Sequence, residues 1–83
     1  MKILYFAWLK DKVGLTEETV AVPADIATAK SLLAWLADRH EGLKQVLEET
    51  AIVRMAINQD YAEEDDPVSN DDEIALFPPV TGG

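Results

Sequence analysis

The chain has no cysteine, one histidine, four glycines and only 7% aromatic residues among its 83 positions. The missing cysteines exclude disulfides, thiolate metal sites and cysteine nucleophiles together. They also point to the cytoplasm, because a secreted fold of this size usually needs covalent or metal staples. No run of eighteen apolar residues occurs, so no membrane-spanning helix is expected. The apolar residues 3–7 are too short a run, and Met1-Lys2 too lightly charged, for a signal peptide. Basic residues are scarce: seven Lys and Arg stand against sixteen Asp and Glu, a formal net charge of −9. Such a field repels nucleic-acid backbones and anionic membranes and favours basic protein partners, although most of the carboxylates serve only to keep a small domain soluble.

Several catalytic and binding signatures are missing as well. There is no G-x-x-x-x-G-K-[ST] loop and no G-x-G-x-x-G, so the chain is not expected to bind a nucleotide by itself. The acidic segment 60–72 contains no glycine and lacks the ligand spacing of a calcium loop, so no metal is expected. His40 has no cysteine partner and reads as a surface or helix-end residue. Thr28, Ser31 and Ser69 lie outside any Gly-x-Ser-x-Gly turn, which argues against an autonomous hydrolase.

What is present is a short alternation of elements. Residues 2–7 alternate as a half-buried strand, with Ile3, Tyr5 and Ala7 on one face and Lys2, Leu4 and Phe6 on the other. Lys10-Asp11-Lys12-Val13-Gly14 reads as a polar connection to a second strand, 17–22, completing a hairpin. Thr28 caps a helix whose Ala29, Leu32, Leu33 and Leu36 line one face, and Gly42 is its expected stop. Ser31 stands where a capping box would place Glu or Gln. Residues 42–49 add a short turn of helix. Residues 52–57 form a third strand with Val53, Met55 and Ile57 on one side, Asn58-Gln59-Asp60 a turn, and Tyr61-Ala62 a short edge strand. Residues 63–67 form a solvated loop, and Asn70-Asp71-Asp72 turns the chain into a last strand, Ile74-Ala75-Leu76-Phe77. Trp8 and Trp35 are assigned to packing.

This order predicts an α+β fold, a mixed sheet of four to five strands with one main helix across one face. With a single helix as cover, Leu4, Phe6 and Phe77 lie on a face with nothing over it, and an exposed apolar patch implies a partner.

The sequence closes on Pro78-Pro79-Val80-Thr81-Gly82-Gly83. Two terminal glycines arise by chance in roughly 0.5% of chains, so their setting matters more than the pair. Proline donates no ladder hydrogen bond and favours extended backbone, so Pro78 and Pro79 end the strand and the tail is expected to project. Residues 1–77 form the expected domain and 78–83 an extended tail. Six residues at up to about 3.3–3.6 Å each carry the Gly83 carboxylate on the order of 20 Å from the sheet. With no side chain on Gly82 or Gly83, that carboxylate can enter a narrow site in another protein.

Tyr5-Phe6-Ala7, Ala56-Ile57-Asn58-Gln59, Asp72-Glu73-Ile74-Ala75 and the Phe77-Pro78-Pro79-Val80-Thr81-Gly82-Gly83 tail together resemble the small, sulfur-carrying subunits of molybdopterin synthase, in the MoaD/ThiS ubiquitin-like family. The resemblance spans the chain and implies a ubiquitin-like β-grasp fold. It implies that a ubiquitin-activating-type adenylyltransferase uses ATP to adenylate the Gly83 carboxylate, and that sulfur then replaces the nucleotide to leave a C-terminal thiocarboxylate. The large synthase subunit then draws on that sulfur, two transfers converting a cyclic pyranopterin monophosphate into the dithiolene of molybdopterin. On this resemblance the chain binds no cofactor itself, has no active site of its own and sits at the ends of a heterotetramer. Phe6, Tyr61 and Phe77 dock on the large subunit while Pro78, Pro79, Val80, Thr81 and Gly82 thread into it. One departure is Asp71, where the family commonly has glycine; Asn70 or Asp71 can still adopt positive φ at modest cost. The alternatives are a sulfur carrier for thiamin or transfer RNA thiolation, a protein modifier joined through an isopeptide bond, and a non-catalytic β-grasp interaction module.

Overall fold

The computed structural model describes residues 1–49 and 52–79. Strand β1 (Lys2–Tyr5) leads into helix α1 (Trp8–Val13), then β2 (Glu17–Thr19), α2 (Ala29–Arg39), α3 (Glu41–Glu49), β3 (Arg54–Ile57), β4 (Asp60–Tyr61) and β5 (Glu73–Phe77). The strands form one five-stranded sheet in the order β2-β1-β5-β3-β4. β1 and β5 run parallel at its centre, and the other neighbours are antiparallel. This is the mixed α+β sheet expected from the order of elements.

Alternation on the strands divides the sheet into a covered and an open face. Ile3, Tyr5, Met55, Ile74 and Leu76 point under the helices and are buried with Leu9, Leu32, Leu36, Leu43 and Val46. The main helix is α2, as its apolar spacing predicts. Thr28 Oγ1 accepts from the Ser31 N–H at 3.2 Å while Ser31 Oγ accepts from the Thr28 N–H at 3.1 Å. Serine therefore completes the capping box in place of Glu or Gln, because its hydroxyl oxygen reaches back to the same backbone donor. The 63–67 loop is more than solvated. Its Asp66 and Glu64 carbonyls accept from Ala29 and Lys30, N–H groups in the first turn of α2 that have no partner within the helix.

Three sequence expectations change. The polar connection 10–14 belongs to α1, which buries Leu9 and ends at Gly14 in the left-handed conformation, φ 88°. Its charged residues mask the helix in the sequence, since over six residues only Leu9 and Val13 mark the inward face. Gly42 does not stop α2, which ends with His40 as its C-cap. Gly42 lies instead in the first turn of α3, where a Cβ would fall 1.7 Å from the Lys12 carbonyl oxygen. Its role is close approach of α3 to α1. Neither Asn70 nor Asp71 takes positive φ. The Asn70 side chain accepts from the Val22 N–H at 2.8 Å and donates to its carbonyl at 3.0 Å, while Asp72 accepts from the Ser69 N–H. Side-chain hydrogen bonds thus shape the turn without a glycine.

The Asn58-Gln59 turn joins β3 to β4 with φ 51° and 75°, the two successive positive values of a tight hairpin connection. Asn58 also donates to Asp72 Oδ1 and accepts from the Glu73 N–H, tying that turn to the start of β5.

Candidate functional site

The open face of the sheet is graded along its length. At one end Lys2 pairs with Thr19 and Glu73 in the ladders, and its ammonium meets Glu17 at 3.6 Å. The next row runs Leu4, Ala75, Ala56 and Tyr61 across four strands, three of them half-buried without a helix above them. The last row places Phe77 opposite Arg54. Polar residues thus occupy one end of the face, an apolar row its middle, and the Phe77 ring stands beside the exposed Arg54 where β5 finishes.

Two of the three expected docking residues meet directly. The Tyr61 and Phe77 rings lie 5.8 Å apart, tilted at 58°, within the range of a favourable aromatic pair. Tyr61 is 77% exposed, a large apolar surface for a residue without an internal role. With Arg54 and Glu63 the pair lines a depression of about 340 Å³. Phe6 lies at the same end two strands from β3. It extends the β1–β5 ladder by donating its N–H to the Leu76 carbonyl at 3.0 Å, and its side chain is 48% exposed. Pro78 and Pro79 follow Phe77, half-buried and outside any strand. Val80, Thr81, Gly82 and Gly83, which carry the expected chemistry, lie outside the described residues.

Two assignments need correction. Trp8 is not packed but 42% exposed, because α1 buries Leu9 and turns the neighbouring side chain outward. Trp35 is half-buried, with the Arg39 guanidinium 4.8 Å above its ring. Ala7 does not continue β1, which ends at Tyr5.

Sequence reasoning also missed a polar cluster under the β1–β2 edge. Tyr5 is buried and its hydroxyl donates to Glu18 Oε2 at 2.6 Å. His40 Nε2 lies 2.6 Å from that same oxygen and donates to it, since an ionised carboxylate only accepts. His40 is thus a helix-end residue, as expected, but its carboxylate partner is far in sequence and mostly buried. No spacing rule joins positions 5, 18 and 40; only the hairpin and the end of α2 bring them together.

Burial, then the Glu18 hydrogen bond and its charge, raise the Tyr5 hydroxyl well above the ordinary tyrosine range, against a smaller opposing effect of Arg39. Folded Tyr5 keeps its proton where an unfolded tyrosine loses it. Above about pH 10 the native state therefore binds more protons than the unfolded state, and stability falls as pH rises. Urea titrations of the wild type and Tyr5→Phe at neutral pH and at about pH 10.5 are expected to show a steeper alkaline loss for the wild type. Parallel losses in the two proteins would remove Tyr5 as the cause.

Among the described residues no group of three or more His, Cys, Asp or Glu side chains is placed to hold a metal ion, and no helix is long and apolar enough to cross a membrane.

The sequence profile described as the ThiS family matches residues 3–83, almost the whole chain. The chain belongs to the ThiS family. Relatives within this group carry one recurrent name. The molybdopterin synthase sulfur carrier subunit of Escherichia coli is 36% identical over 83 residues, covering 100% of this chain and 99% of that protein. The subunit of the same name from Homo sapiens is 35% identical over 88 residues, with 100% and 93% covered. The crystal structure of small archaeal modifier protein 1 from Haloferax volcanii superposes with a TM-score of 0.79 at 28% identity, covering 96% of this chain and 97% of that one. The ubiquitin-like β-grasp fold expected for a ThiS-family member is therefore the fold observed.

Proposed function

We propose that this chain is the sulfur-carrier subunit of molybdopterin synthase in molybdenum cofactor biosynthesis. The observation that carries this reading is the exposed Tyr61–Phe77 ring pair on the open sheet face where β5 hands the chain to Pro78-Pro79, in a ThiS-family chain matched end to end by named sulfur carrier subunits. A partner seated on Phe6, Tyr61 and Phe77 lies at the root of the tail and can receive it. Pro78, Pro79, Val80, Thr81 and Gly82 then serve as the threading arm, and Gly83 as its reactive end.

The chemistry required of Gly83 follows from its charge. A free α-carboxyl has a pKa near 3.5, so at neutral pH it is an anion and a poor electrophile. A ubiquitin-activating-type adenylyltransferase removes that obstacle: the carboxylate attacks the α-phosphorus of ATP, pyrophosphate leaves, and an acyl-adenylate results. Sulfur supplied at the sulfide level displaces AMP at the carbonyl carbon and leaves the thiocarboxylate. The carrier contributes the acyl group and the docking surface, while the active site belongs to the large subunit. The chain needs no cofactor of its own for either role, and the cytoplasm, where ATP and reduced sulfur are available, is its compartment.

Intact mass after co-expression with the activating enzyme and a sulfur source tests this. An oxygen-to-sulfur exchange located at Gly83 is expected; an unchanged mass with an active enzyme pair would remove the carrier assignment. Docking is tested separately. Phe77→Asp or Phe6→Asp is expected to weaken large-subunit binding by about 2 kcal/mol, roughly thirtyfold in Kd, the scale of an aromatic anchor. Unchanged affinity by calorimetry would take these residues out of the interface.

The likeness to small archaeal modifier protein 1 favours a second reading, in which Gly83 is joined to lysines of other proteins. That reading predicts higher-mass adducts carrying an isopeptide bond at Gly83 and no need of the large subunit.

A further inference from the structure

The edge strand β4 covers its neighbour β3 only in part. It pairs with Ala56 and Ile57, and Ala62 extends that ladder by donating its N–H to the Met55 carbonyl at 2.9 Å. By Glu64 the chain has left the sheet. The Glu64 carbonyl accepts from the Lys30 N–H at 3.0 Å and the Asp66 carbonyl from the Ala29 N–H at 2.9 Å. Capping α2 thus draws the loop away from β3, and Ile52 and Val53, which lead into that strand, have no chain beside them on this edge. In an antiparallel ladder the N–H and C=O of alternate residues point to the same edge. Val53 therefore turns both groups the way Met55 turns its carbonyl, toward the place a continued β4 would occupy. Neither group has a hydrogen-bond partner among the described residues.

Beside this edge lies a groove of about 380 Å³ between β3, α2 and the 63–64 segment. Leu33, Val53 and Ala62 give it an apolar lining, and Ile52 stands 48% exposed beside them. An unpaired strand edge next to an apolar groove selects an extended chain, whose backbone completes the ladder while alternate side chains enter the groove. Charge selects among extended chains. Lys30 and Arg54 balance Glu63 and Glu64 within the groove itself. Around it the balance fails: Asp65 and Asp66 continue the carboxylate run, and no Lys or Arg follows Arg54 in the sequence. A second copy of this chain is therefore a poor occupant, since edge-to-edge pairing would bring two such runs together in molecules of net charge −9.

We propose that the β3 edge at Val53 and the adjoining groove bind an extended, basic segment of another protein, added to the sheet as a strand. Val53 supplies the main-chain hydrogen bonds, Leu33 and Ala62 receive the apolar side chains, and the acidic loop meets the basic ones. This site lies apart from the chemistry of Gly83 and does not rest on the sulfur-carrier reading.

The test uses the full-length, isotopically labelled chain and two synthetic hexapeptides, one alternating lysine with valine and one alternating glutamate with valine. At physiological salt the lysine peptide is expected to shift the amide resonances of Val53 and Met55 and to slow hydrogen exchange at the Val53 amide, and to bind at least tenfold more tightly than the glutamate peptide. Val53→Pro removes the donor at a strand edge, where proline is tolerated. It is expected to raise Kd for the lysine peptide about tenfold, the loss of one backbone hydrogen bond, while Val53→Ala stays close to the wild type. Absence of binding, equal affinity for the two peptides, or shifts centred on the opposite edge at Glu17–Thr19 overturns the proposal. So does a dimer of the free chain whose interface protects Val53. The resonance and exchange measurements use the unsubstituted chain, so they decide the matter even where Val53→Pro folds poorly.

Discussion

Deleting Gly83, or replacing it with valine, abolishes sulfur transfer and leaves the thermal transition within about 1–2 °C of the wild type. The two halves of this result have separate causes. Activation needs the carbonyl carbon of the last residue to pass through a narrow site, approached first by the nucleotide and then by sulfur. A β-branched side chain on that residue crowds both approaches, and deletion moves the reactive carbon by one residue, up to about 3.6 Å. Displacements of that size remove the near-attack geometry on which acyl transfer depends. Stability is expected to hold because, among the described residues, the core lies between the sheet and the helices, from Met1 to Leu76. A large fall in melting temperature would show that the tail is part of the fold. Retained sulfur transfer would show that Gly83 is not its site.

Gly42→Ala is the substitution expected to damage the fold most. The added Cβ would lie 1.7 Å from the Lys12 carbonyl oxygen and 2.6 Å from its carbon. Both atoms are backbone, so no rotamer change can relieve the overlap, and α3 must lift from α1. Overpacking of this kind costs typically 1–3 kcal/mol and more when backbone must move. A loss of about 3 kcal/mol lowers the melting temperature of a domain this size by on the order of 10–20 °C. Gly14→Ala is the control. Gly14 has φ 88° but open space around its Cβ position, so only the left-handed backbone opposes alanine, at about 1–2 kcal/mol. Equal melting temperatures for Gly42→Ala and the wild type would mean that α1 is not seated on α3.

Much of the fold was legible because local patterns coincide with tertiary demands. Ala29, Leu32, Leu33 and Leu36 recur at helical spacing and face the sheet as α2. Ile3 and Tyr5, like Ile74 and Leu76, alternate with outward residues and supply the centre of the core. The 10–14 segment failed for the opposite reason. α1 buries Leu9 fully and Val13 in part, and two apolar residues four apart set too short a period to read. Gly42 was misread because a glycine near a helix end more often marks a stop than a close approach. The docking surface was partly legible: Phe6 and Phe77 stood out as strand residues on an uncovered face, and Tyr61 came from the family resemblance. The packing assignment held for Trp35 but not for Trp8, since a large aromatic in a small domain is usually needed for packing.

By itself the sequence determined the α+β class, the helix-capping threonine, the uncovered apolar face and the Pro-Pro-Val-Thr-Gly-Gly tail. Each of these depends on neighbours within a few positions, or on family resemblance that local motifs carry. Only the tertiary structure decided that β1 and β5 lie parallel at the centre, so that Phe6, Trp8 and the root of the tail share one end of the sheet. It alone joined Tyr5, Glu18 and His40 on one oxygen and placed Gly42 against Lys12. These contacts link residues far apart in the chain, and nothing in the local periodicity encodes which distant element arrives beside which. Strand order and helix packing supply that information, and both are properties of the folded molecule.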